Sequence, residues 1–364
     1  MAKVFHACFH TGYNEIIKTR GKSSMAKQLD MNHGFYYEFL NNAQKKTYDT
    51  LLTHMRQFET AFDIDAVSTA DYLIANRAVL DDHPELWWAD TPARYSFNIM
   101  GKVTKHQFLE LKGNEKQITA AMAQAIQQVM EQSRQLDSDW KKALLFHDYI
   151  VQKTKFNTGR DTDGYLDQNI SSVFMGGNSV CAGYARAFML LCRSAGIECV
   201  YVSGPAVKNG NNIRHAWNLA LIDGSWTWID CTWDDLILND GTESCEHDYF
   251  CLNDTWISKE HPIPSYLETG NAQARLKISF PKASSLKMEY HRLTGTYFEK
   301  YDANAVLAST QAQAPGGKVR LRFGSPQALA QAVQAIVVQN NLLNQPQLRV
   351  NKDDVMCVLR IDRK

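Results

Sequence analysis

Three side chains with the chemistry of a thiol catalytic centre lie in the middle of the sequence: Cys181, His215 and Asp230. A cysteine attacks a carbonyl carbon as its thiolate, and a histidine accepts and returns the proton. A carboxylate beside the imidazole holds it in one tautomer and stabilises its charged form. Whether these three groups meet depends on the elements that carry them.

Cys181 is predicted to lie in the first turn of a helix. Small and apolar residues recur at three- and four-residue intervals from Cys181 to Ala195, and the run ends at Gly196. Ser179 is a suitable N-cap residue. At such a position the unpaired N–H groups and the helix dipole favour a thiolate and stabilise a developing oxyanion.

His215 and Asp230 are predicted to be neighbours on a β-hairpin. The strand-like runs RHAWNLALI and SWTWIDCTW are separated by Asp-Gly at 223–224, a strong signal for a two-residue hairpin turn. With those two residues as the loop, Trp217 pairs with Asp230. His215 and Asp230 then lie on one face as diagonal neighbours, about 7 to 8 Å apart at the backbone. That separation allows an imidazole to reach a carboxylate.

These residues and their surroundings resemble bacterial transglutaminase-like proteins. The segment SVCAGYARAFMLLCRSAGIEC has the Cys-x-Gly-Tyr-Ala helix start of that family. The segment RHAWNLALIDGSWTWIDCTWDD has its His-Ala-Trp-Asn and Asp-x-Thr-Trp-Asp strands, in the same order. The flanking segments DHPELWW, HDYIVQKTKF, DQNISSVFMGG and YFCLNDTWISKEHPI are similar too.

The resemblance implies an α+β fold with a transglutaminase-like or papain-like core. In such a core, the helix that carries Cys181 packs on an antiparallel sheet that carries His215 and Asp230. The resemblance also implies that the three residues form a catalytic triad. Tyr184, Trp217 and Trp233 are predicted to line the substrate cleft. The second oxyanion donor is left open among three side chains, those of Gln168, Asn169 and Asn178.

The predicted function is that of a thiol-dependent hydrolase or acyl transferase acting on peptide or protein amides. Thiol centres of this kind form an acyl-enzyme, and the acceptor then decides between hydrolysis and transfer to an amine. The Gly-Gln-Cys-Trp pattern of calcium-dependent animal transglutaminases is absent, and a cysteine peptidase-like hydrolysis is favoured. The alternative is a catalytically idle transglutaminase-like domain that serves as a scaffold and binds a protein or a polysaccharide.

Four parts of the chain are predicted from its patterns: an N-terminal arm at 1–34, a mainly helical region at 35–135, the catalytic core at 136–270 and a small α/β module at 271–364. Helical periodicity dominates the second part, including the run NNAQKKTYDTLLTHMRQFETAF. Before the hairpin, IECVYVSG is typical of a strand, and GPAVKNGNN is typical of a loop. In the last part, Ser325 and Pro326 mark a helix start between strand-like runs.

Composition excludes several functional classes. The chain has 39 Lys and Arg residues and 39 Asp and Glu residues, so its net charge does not attract nucleic acid or an anionic membrane. No run reaches the roughly 20 apolar residues of a membrane helix. The first residues lack the pattern of a secretory signal. A cytoplasmic protein is therefore expected from the chain as given, and a secreted one if a signal was removed.

The cysteines indicate neither a disulfide framework nor a metal site. Eight are spread over the chain without repeated spacing. Cys192, Cys199 and Cys231 lie in apolar runs and are predicted to be buried. The cluster of Cys245, His247 and Cys251 lacks paired CxxC spacing, so no metal and no cofactor are predicted. His147, on the apolar stripe of a predicted helix, is interpreted as a hydrogen-bonded packing residue.

Overall fold

The computed structural model describes residues 33–109, 113–157, 166–175, 177–237, 243–314, 317–340, 342, 345 and 347–363. Helices and strands alternate irregularly through these residues, and the fold is α+β as predicted. The predicted arm at 1–34 lies outside the described residues except for His33 and Gly34. No helix in the described ranges is long and apolar enough to cross a membrane.

The α-helices of the described residues are, in chain order, α1 (Asn42–Arg56), α2 (Thr69–Asp82), α3 (Glu115–Ser133), α4 (Asp139–Lys153), α5 (Ile170–Phe174), α6 (Cys181–Ser194), α7 (Asp254–Ile257), α8 (Tyr290–Leu293), α9 (Ala303–Gln313) and α10 (Pro326–Ala332). Three short 3₁₀ turns cover Tyr36–Phe39, Trp87–Ala89 and Leu166–Gln168. A π-helical turn, Val333–Val338, continues α10.

The strands of the same residues are β1 (Ala61–Val67), β2 (Ala93–Phe97), β3 (Val103–Phe108), β4 (Lys155–Phe156), β5 (Asn178–Ser179), β6 (Cys199–Lys208), β7 (Asn211–Ile222), β8 (Ser225–Ile229), β9 (Asp235–Ile237), β10 (Glu243–Cys245), β11 (Phe250–Leu252), β12 (Tyr266–Glu268), β13 (Arg275–Lys277), β14 (Tyr297–Phe298), β15 (Lys318–Phe323), β16 (Leu348–Asp353) and β17 (Val358–Arg363). The larger sheets have the orders β1-β3-β2, β11-β8-β7-β6 and β14-β15-β17-β16.

The N-terminal region contains a three-stranded antiparallel sheet beside its helices. The helical interpretation of the run that ends at Phe62 was wrong at its end, because α1 stops at Arg56 and β1 follows. In β1, Phe62 and Ile64 are buried, and the acidic residue between them is exposed. That alternation is the period of a strand with one buried face.

The four-stranded antiparallel sheet that carries the candidate site contains the predicted hairpin. Asp223 and Gly224 form the turn with positive φ angles of 44° and 77°, the backbone that favours Asp-Gly in a two-residue loop. In the observed register, Ile222 pairs with Ser225, as the sequence predicts. The predicted register of β7 and β8 is therefore confirmed.

The predicted loop GPAVKNGNN was wrong, because β6 continues to Lys208. A second two-residue turn, Asn209 and Gly210, joins β6 to β7. Pro205 is tolerated within β6 because this strand lies at the edge of the sheet. The N–H of Val207 points away from β7 and donates to the Glu260 carbonyl at 2.7 Å. Residues two apart in a strand have the same orientation, so Pro205 lacks an N–H only on this outer side, where β7 does not need one.

Two helices are tied to this sheet by polar contacts. The Asn218 side chain, in β7, donates to the Ala185 carbonyl of α6 at 2.9 Å. The Asp223 carboxylate, in the hairpin turn, accepts hydrogen bonds from the first backbone N–H groups of α4, those of Asp139 at 3.0 Å and Trp140 at 3.1 Å. An anionic side chain at a helix N-terminus is favourable. These contacts hold both helices in a defined position relative to β7.

The C-terminal strands and helix follow the predicted order. The Ser325 hydroxyl caps α10 by accepting from the Ala328 N–H, and Pro326 is the first helical residue. The three strands β15, β16 and β17 pair as an antiparallel unit. The four-part division of the chain stays a prediction; buried apolar side chains from all the described parts belong to one continuous core.

Several burial predictions are confirmed. Cys192, Cys199 and Cys231 are buried, as predicted from their apolar runs. The seven cysteines among the described residues are all free thiols. The burial of Cys192, Cys199 and Cys231 agrees with their interpretation as small packing residues.

Candidate active site

Cys181 is the first residue of α6, as predicted, but the capping residue is different. Val180 occupies the N-cap position, and no side chain caps this helix. Ser179 ends β5 instead, and its hydroxyl donates to the Asp167 carbonyl at 2.9 Å. A Cβ atom at Gly183 would lie 2.1 Å from that hydroxyl oxygen, so the close approach of α6 to β5 requires a glycine.

The start of α6 is suited to hold negative charge. Its N-terminal N–H groups have no capping side chain, and the dipole of a 14-residue helix places partial positive charge there. The Cys181 side chain is partly exposed. A thiolate at this position is therefore both stabilised and accessible, and the Cys181 N–H is a candidate oxyanion donor.

The candidates for the second oxyanion donor differ in their surroundings. The Asn169 side chain is buried and caps α5 by accepting from the Ser171 N–H at 2.9 Å. Gln168 and Asn178 have exposed side chains. The cap engages the oxygen of Asn169 and not its amide nitrogen, which is the atom that would donate to an oxyanion. All three side chains therefore stay predictions for the second oxyanion donor.

His215 and Asp230 form a buried hydrogen-bonded pair. The His215 Nε2 atom lies 2.7 Å from Asp230 Oδ2, and both side chains are almost fully excluded from solvent. The second oxygen, Asp230 Oδ1, accepts from the backbone N–H groups of Thr232 at 2.9 Å and Trp233 at 3.3 Å. With Nε2 engaged, Nδ1 is the ring nitrogen left to exchange a proton with a thiol.

The electrostatics of this pair favour an imidazolium beside the thiol. Burial opposes the charged form of His215, but the Asp230 charge, the hydrogen bond to Asp230 and the interaction with the Cys181 side chain raise the pKa of His215 to about 9. Burial likewise opposes the charged form of Asp230, and the His215 charge and hydrogen bonds outweigh it and lower the pKa of Asp230. The Cys181 contact joins the helix start to the hairpin pair.

Sequence reasoning gave no role to a further histidine, His261, which shares the same carboxylate oxygen. Its Nε2 lies 2.9 Å from Asp230 Oδ2, and its side chain is fully buried. Burial and the His215 charge lower the pKa of His261. It is therefore a neutral donor that supports the Asp230 charge. Its segment, KEHPI, was part of the family resemblance, but no local pattern pointed to this contact.

Two of the three aromatic residues predicted to line the cleft, Trp217 and Trp233, lie beside His215. Trp217 is buried, and its ring centroid lies 6.0 Å from that of His215. Tyr184 is also buried, and its hydroxyl donates to Asp235 at 2.6 Å. Both side chains have packing positions in this structure, which does not support the predicted substrate contact. Trp233 retains slight exposure, with its ring centroid 5.2 Å from that of His215, and its substrate contact stays a prediction.

Two groups of side chains among the described residues have atoms placed to bind a metal ion. One group is His215, Asp230 and His261. The hydrogen bonds of both histidines to Asp230 account for the short distances between these three side chains. The other joins Cys245 and His247 of the sequence cluster to His147 and Asp148 of α4. Cys251, the third member of the sequence cluster, is buried in β11 and is not part of this group. His147 is buried and hydrogen-bonded, as predicted.

The raised pKa of His215 predicts a pH-dependent contribution to stability. A histidine whose pKa rises on folding stabilises the protein fully below the unfolded-state pKa of about 6.5. That contribution is lost as the pH rises through about 9. We expect the wild type to lose a few kcal/mol of unfolding free energy across this interval, at about 1.4 kcal/mol for each pKa unit. Urea denaturation at a series of pH values measures it. His215→Gln is the reference, and equal pH slopes in the two proteins would contradict the prediction.

Removal of the His261 donor is expected to raise the pKa of His215 further. In His261→Phe, Asp230 Oδ2 keeps one imidazole donor in place of two, so its charge is concentrated on His215. A hydrogen bond to a charged group contributes about 1.5 kcal/mol or more, which corresponds to roughly one pKa unit. NMR titration of the His215 ring measures the shift. His261→Gln keeps a donor and should stay near the wild type; an unchanged pKa in His261→Phe would argue against charge sharing.

Comparisons with known proteins show a similarity to one family over part of the chain. Residues 123–231 match the model of the transglutaminase-like superfamily core. A stretch of 61 residues is 38% identical to kyphoscoliosis peptidase of Mus musculus and 36% identical to that of Homo sapiens. The aligned stretch covers 15% of this chain and spans 9% of the length of each relative.

Two solved structures are also similar. One is a transglutaminase, 15% identical over 38% of this chain and 43% of that chain, with a TM-score of 0.27. The other is a cysteine protease candidate from Cytophaga hutchinsonii, 16% identical over 43% of this chain and 66% of that chain, with a TM-score of 0.27. The matched family segment, 123–231, contains all three residues of the Cys-His-Asp arrangement. Residues 123–231 of this chain are therefore similar to the core of the transglutaminase-like superfamily.

Proposed function

We propose that the protein is a thiol-dependent enzyme that cleaves peptide or protein amides through an acyl-enzyme, with water as the preferred acceptor. The observation that carries the proposal is the buried His215–Asp230 pair in contact with the partly exposed Cys181 at a helix start. A nucleophile next to a base, with the base oriented by a third group, is the arrangement that acyl transfer requires.

The residues divide the chemistry between them. The Cys181 thiolate attacks the amide carbonyl carbon, and the carbonyl π electrons move to oxygen, where the N–H groups at the start of α6 stabilise them. The His215 imidazolium then protonates the leaving nitrogen as the C–N bond breaks, which leaves a thioester. A water molecule gives its proton to His215 and attacks the thioester, releasing a carboxylic acid and regenerating the thiolate.

Two observations support hydrolysis over transfer to an amine. The chain lacks the Gly-Gln-Cys-Trp pattern of the calcium-dependent transglutaminases. The relatives matched over 61 residues bear the name peptidase. Asp230 holds His215 in the tautomer that serves either acceptor, so the triad geometry is common to both reactions.

A peptide-library cleavage assay tests the proposal, run with and without a primary amine and combined with thiol labelling of Cys181. We expect peptide cleavage without incorporation of the amine. Incorporation would assign the protein to acyl transfer. Neither reaction, together with a Cys181 that alkylates at the rate of an ordinary thiol, would favour the scaffold alternative.

A further inference from the structure

Four side chains with metal-ligating chemistry converge about a single point outside the triad. They are His147 and Asp148 of α4, Cys245 at the end of β10, and His247 two residues later. One ligand atom from each lies within 4.8 Å of the other three. His147 is fully buried, and the other three are partly exposed. His147 thus lies on the inner side of the group, and an ion can enter from the solvent side, where the other three residues are partly exposed.

The contacts of one oxygen atom indicate that the cluster is built around a shared centre. Asp148 Oδ1 lies 2.9 Å from His147 Nδ1, 2.7 Å from His247 Nε2 and 3.6 Å from Cys245 Sγ. A carboxylate oxygen has two lone-pair directions. Three donors therefore crowd one acceptor, whereas a cation at the centre would accept a lone pair from each of the four groups.

His147 is held in the orientation that a ligand needs. Its Nδ1 points to the cluster, and its Nε2 lies 3.1 Å from Oδ2 of Asp234, which is fully buried. Asp234 is itself fixed by the backbone N–H of Tyr249 at 3.0 Å. A carboxylate on the far nitrogen of a metal-binding histidine fixes the tautomer and makes the ring a stronger ligand.

We propose that His147, Asp148, Cys245 and His247 form a binding site for a zinc ion, separate from the thiol centre. Two imidazoles, a thiolate and a carboxylate are a ligand set that zinc accepts in tetrahedral geometry. Zinc bonds of about 2.0 to 2.3 Å place neighbouring ligand atoms about 3.3 to 3.8 Å apart. The observed separations require shifts of about 1 Å or less to reach that geometry. Binding requires a lone pair on Cys245 Sγ, His147 Nδ1 and His247 Nε2, so the protons that these three atoms donate to Asp148 are released to solvent.

The site would connect α4, the segment at 245–248 and the C-terminal strands, because side chains along that segment point alternately to two sides. Cys245 and His247 face the cluster, whereas Glu246 and Asp248 face the other way. Arg320, in β15, donates to Glu246 at 2.7 Å, and Arg360, in β17, donates to Asp248. An ion bound to Cys245 and His247 would therefore fasten α4 to the segment on which the C-terminal strands dock. The proposed ion has a structural role, since all four positions around it are filled by protein.

Metal binding to the purified, chelator-treated protein tests the proposal. We expect about one zinc ion per chain, and cobalt(II) as a substitute should produce a thiolate-to-metal absorption band. Cys245→Ser should weaken zinc binding at least about 100-fold and remove that band. Cys181→Ser is the matched control, because its thiol lies outside the cluster, and it should bind cobalt with the band unchanged. A band lost in Cys181→Ser but kept in Cys245→Ser would overturn the assignment.

A second variant covers the case in which Cys245→Ser fails to fold. His247→Gln alters a partly exposed ligand and should keep the circular dichroism of the wild type. Zinc should raise the Tm of the wild type by several degrees through binding to the native state, and the rise should disappear in His247→Gln. An equal rise in both proteins, or no zinc binding by the wild type, would refute the site.

Discussion

Replacement of Cys181 by alanine is expected to abolish covalent trapping by an amide-directed electrophile and to lower amide turnover at least about 10⁴-fold. The reason is that Cys181 lies at a helix start and interacts with His215, a histidine whose pKa is raised. Removal of the nucleophile leaves water as the attacking group, and only the oxyanion donors and substrate binding still assist it. Intact-mass spectrometry of the adduct measures trapping directly.

Cys192→Ala provides the matched control for this variant. It makes the same change of side chain in the same helix, about three turns away, at a fully buried position. We expect trapping and turnover to stay near the wild type, with a stability cost typical of a small core deletion. Equal trapping in Cys181→Ala and the wild type would remove Cys181 from the mechanism.

Replacement of Asp230 by asparagine is expected to lower turnover by about 10³- to 10⁴-fold, although the side chain keeps its shape. Both oxygens of Asp230 are acceptors: Oδ2 bonds His215 and His261, and Oδ1 bonds the Thr232 and Trp233 N–H groups. An asparagine accepts with one atom and donates with the other. Its NH2 group therefore faces either the two backbone N–H donors or the two imidazole donors, and a donor facing a donor forms no hydrogen bond. Steady-state kinetics on a cleaved peptide measures the loss.

Asp254→Asn makes the same substitution where it is tolerated. Asp254 Oδ1 accepts from the Trp228 indole N–H at 2.7 Å and from the Ala283 N–H at 3.2 Å. An asparagine keeps that oxygen as an acceptor, so turnover should remain near the wild type. If Asp230→Asn also turned over at the wild-type rate, the orienting role of the carboxylate would be wrong.

The hairpin that joins His215 to Asp230 was predictable because its determinants are local. Asp223 and Gly224 adopt positive φ angles that few other residue pairs tolerate, and the two-residue loop then determines which side chains share a face. The C-terminal strands and helix were predictable for the same reason, since Ser325 and Pro326 signal the helix start at short range.

Predictions failed where tertiary context overrides a local preference. Pro205 in GPAVK is typical of a loop, yet it lies within β6 because an edge strand does not need every N–H. Ser179 is a good N-cap residue by type, yet it belongs to β5, and Val180 takes the cap position. In both cases the deciding partner is another part of the chain that the local sequence does not specify.

The contacts least accessible to sequence reasoning join residues far apart in the chain. His261 reaches Asp230 across 31 residues, and His247 reaches Asp148 across 99. Neither contact has a spacing motif, because no single helix or strand carries both partners. The link between Cys181 and the hairpin is equally non-local: only family resemblance predicts it from the sequence, and in the structure Cys181 is close enough to His215 to influence its pKa.

The alkylation rate of Cys181 by iodoacetamide, measured against pH in the wild type and in His215→Gln, tests the central claim most directly. Mass spectrometry of the peptide that contains Cys181 separates this thiol from the other cysteines. An imidazolium beside the thiol predicts rapid alkylation near neutral pH, and a rate at least about 10-fold lower in His215→Gln. Alkylation at the same rate in both proteins at every pH of the series would contradict a Cys-His-Asp catalytic centre.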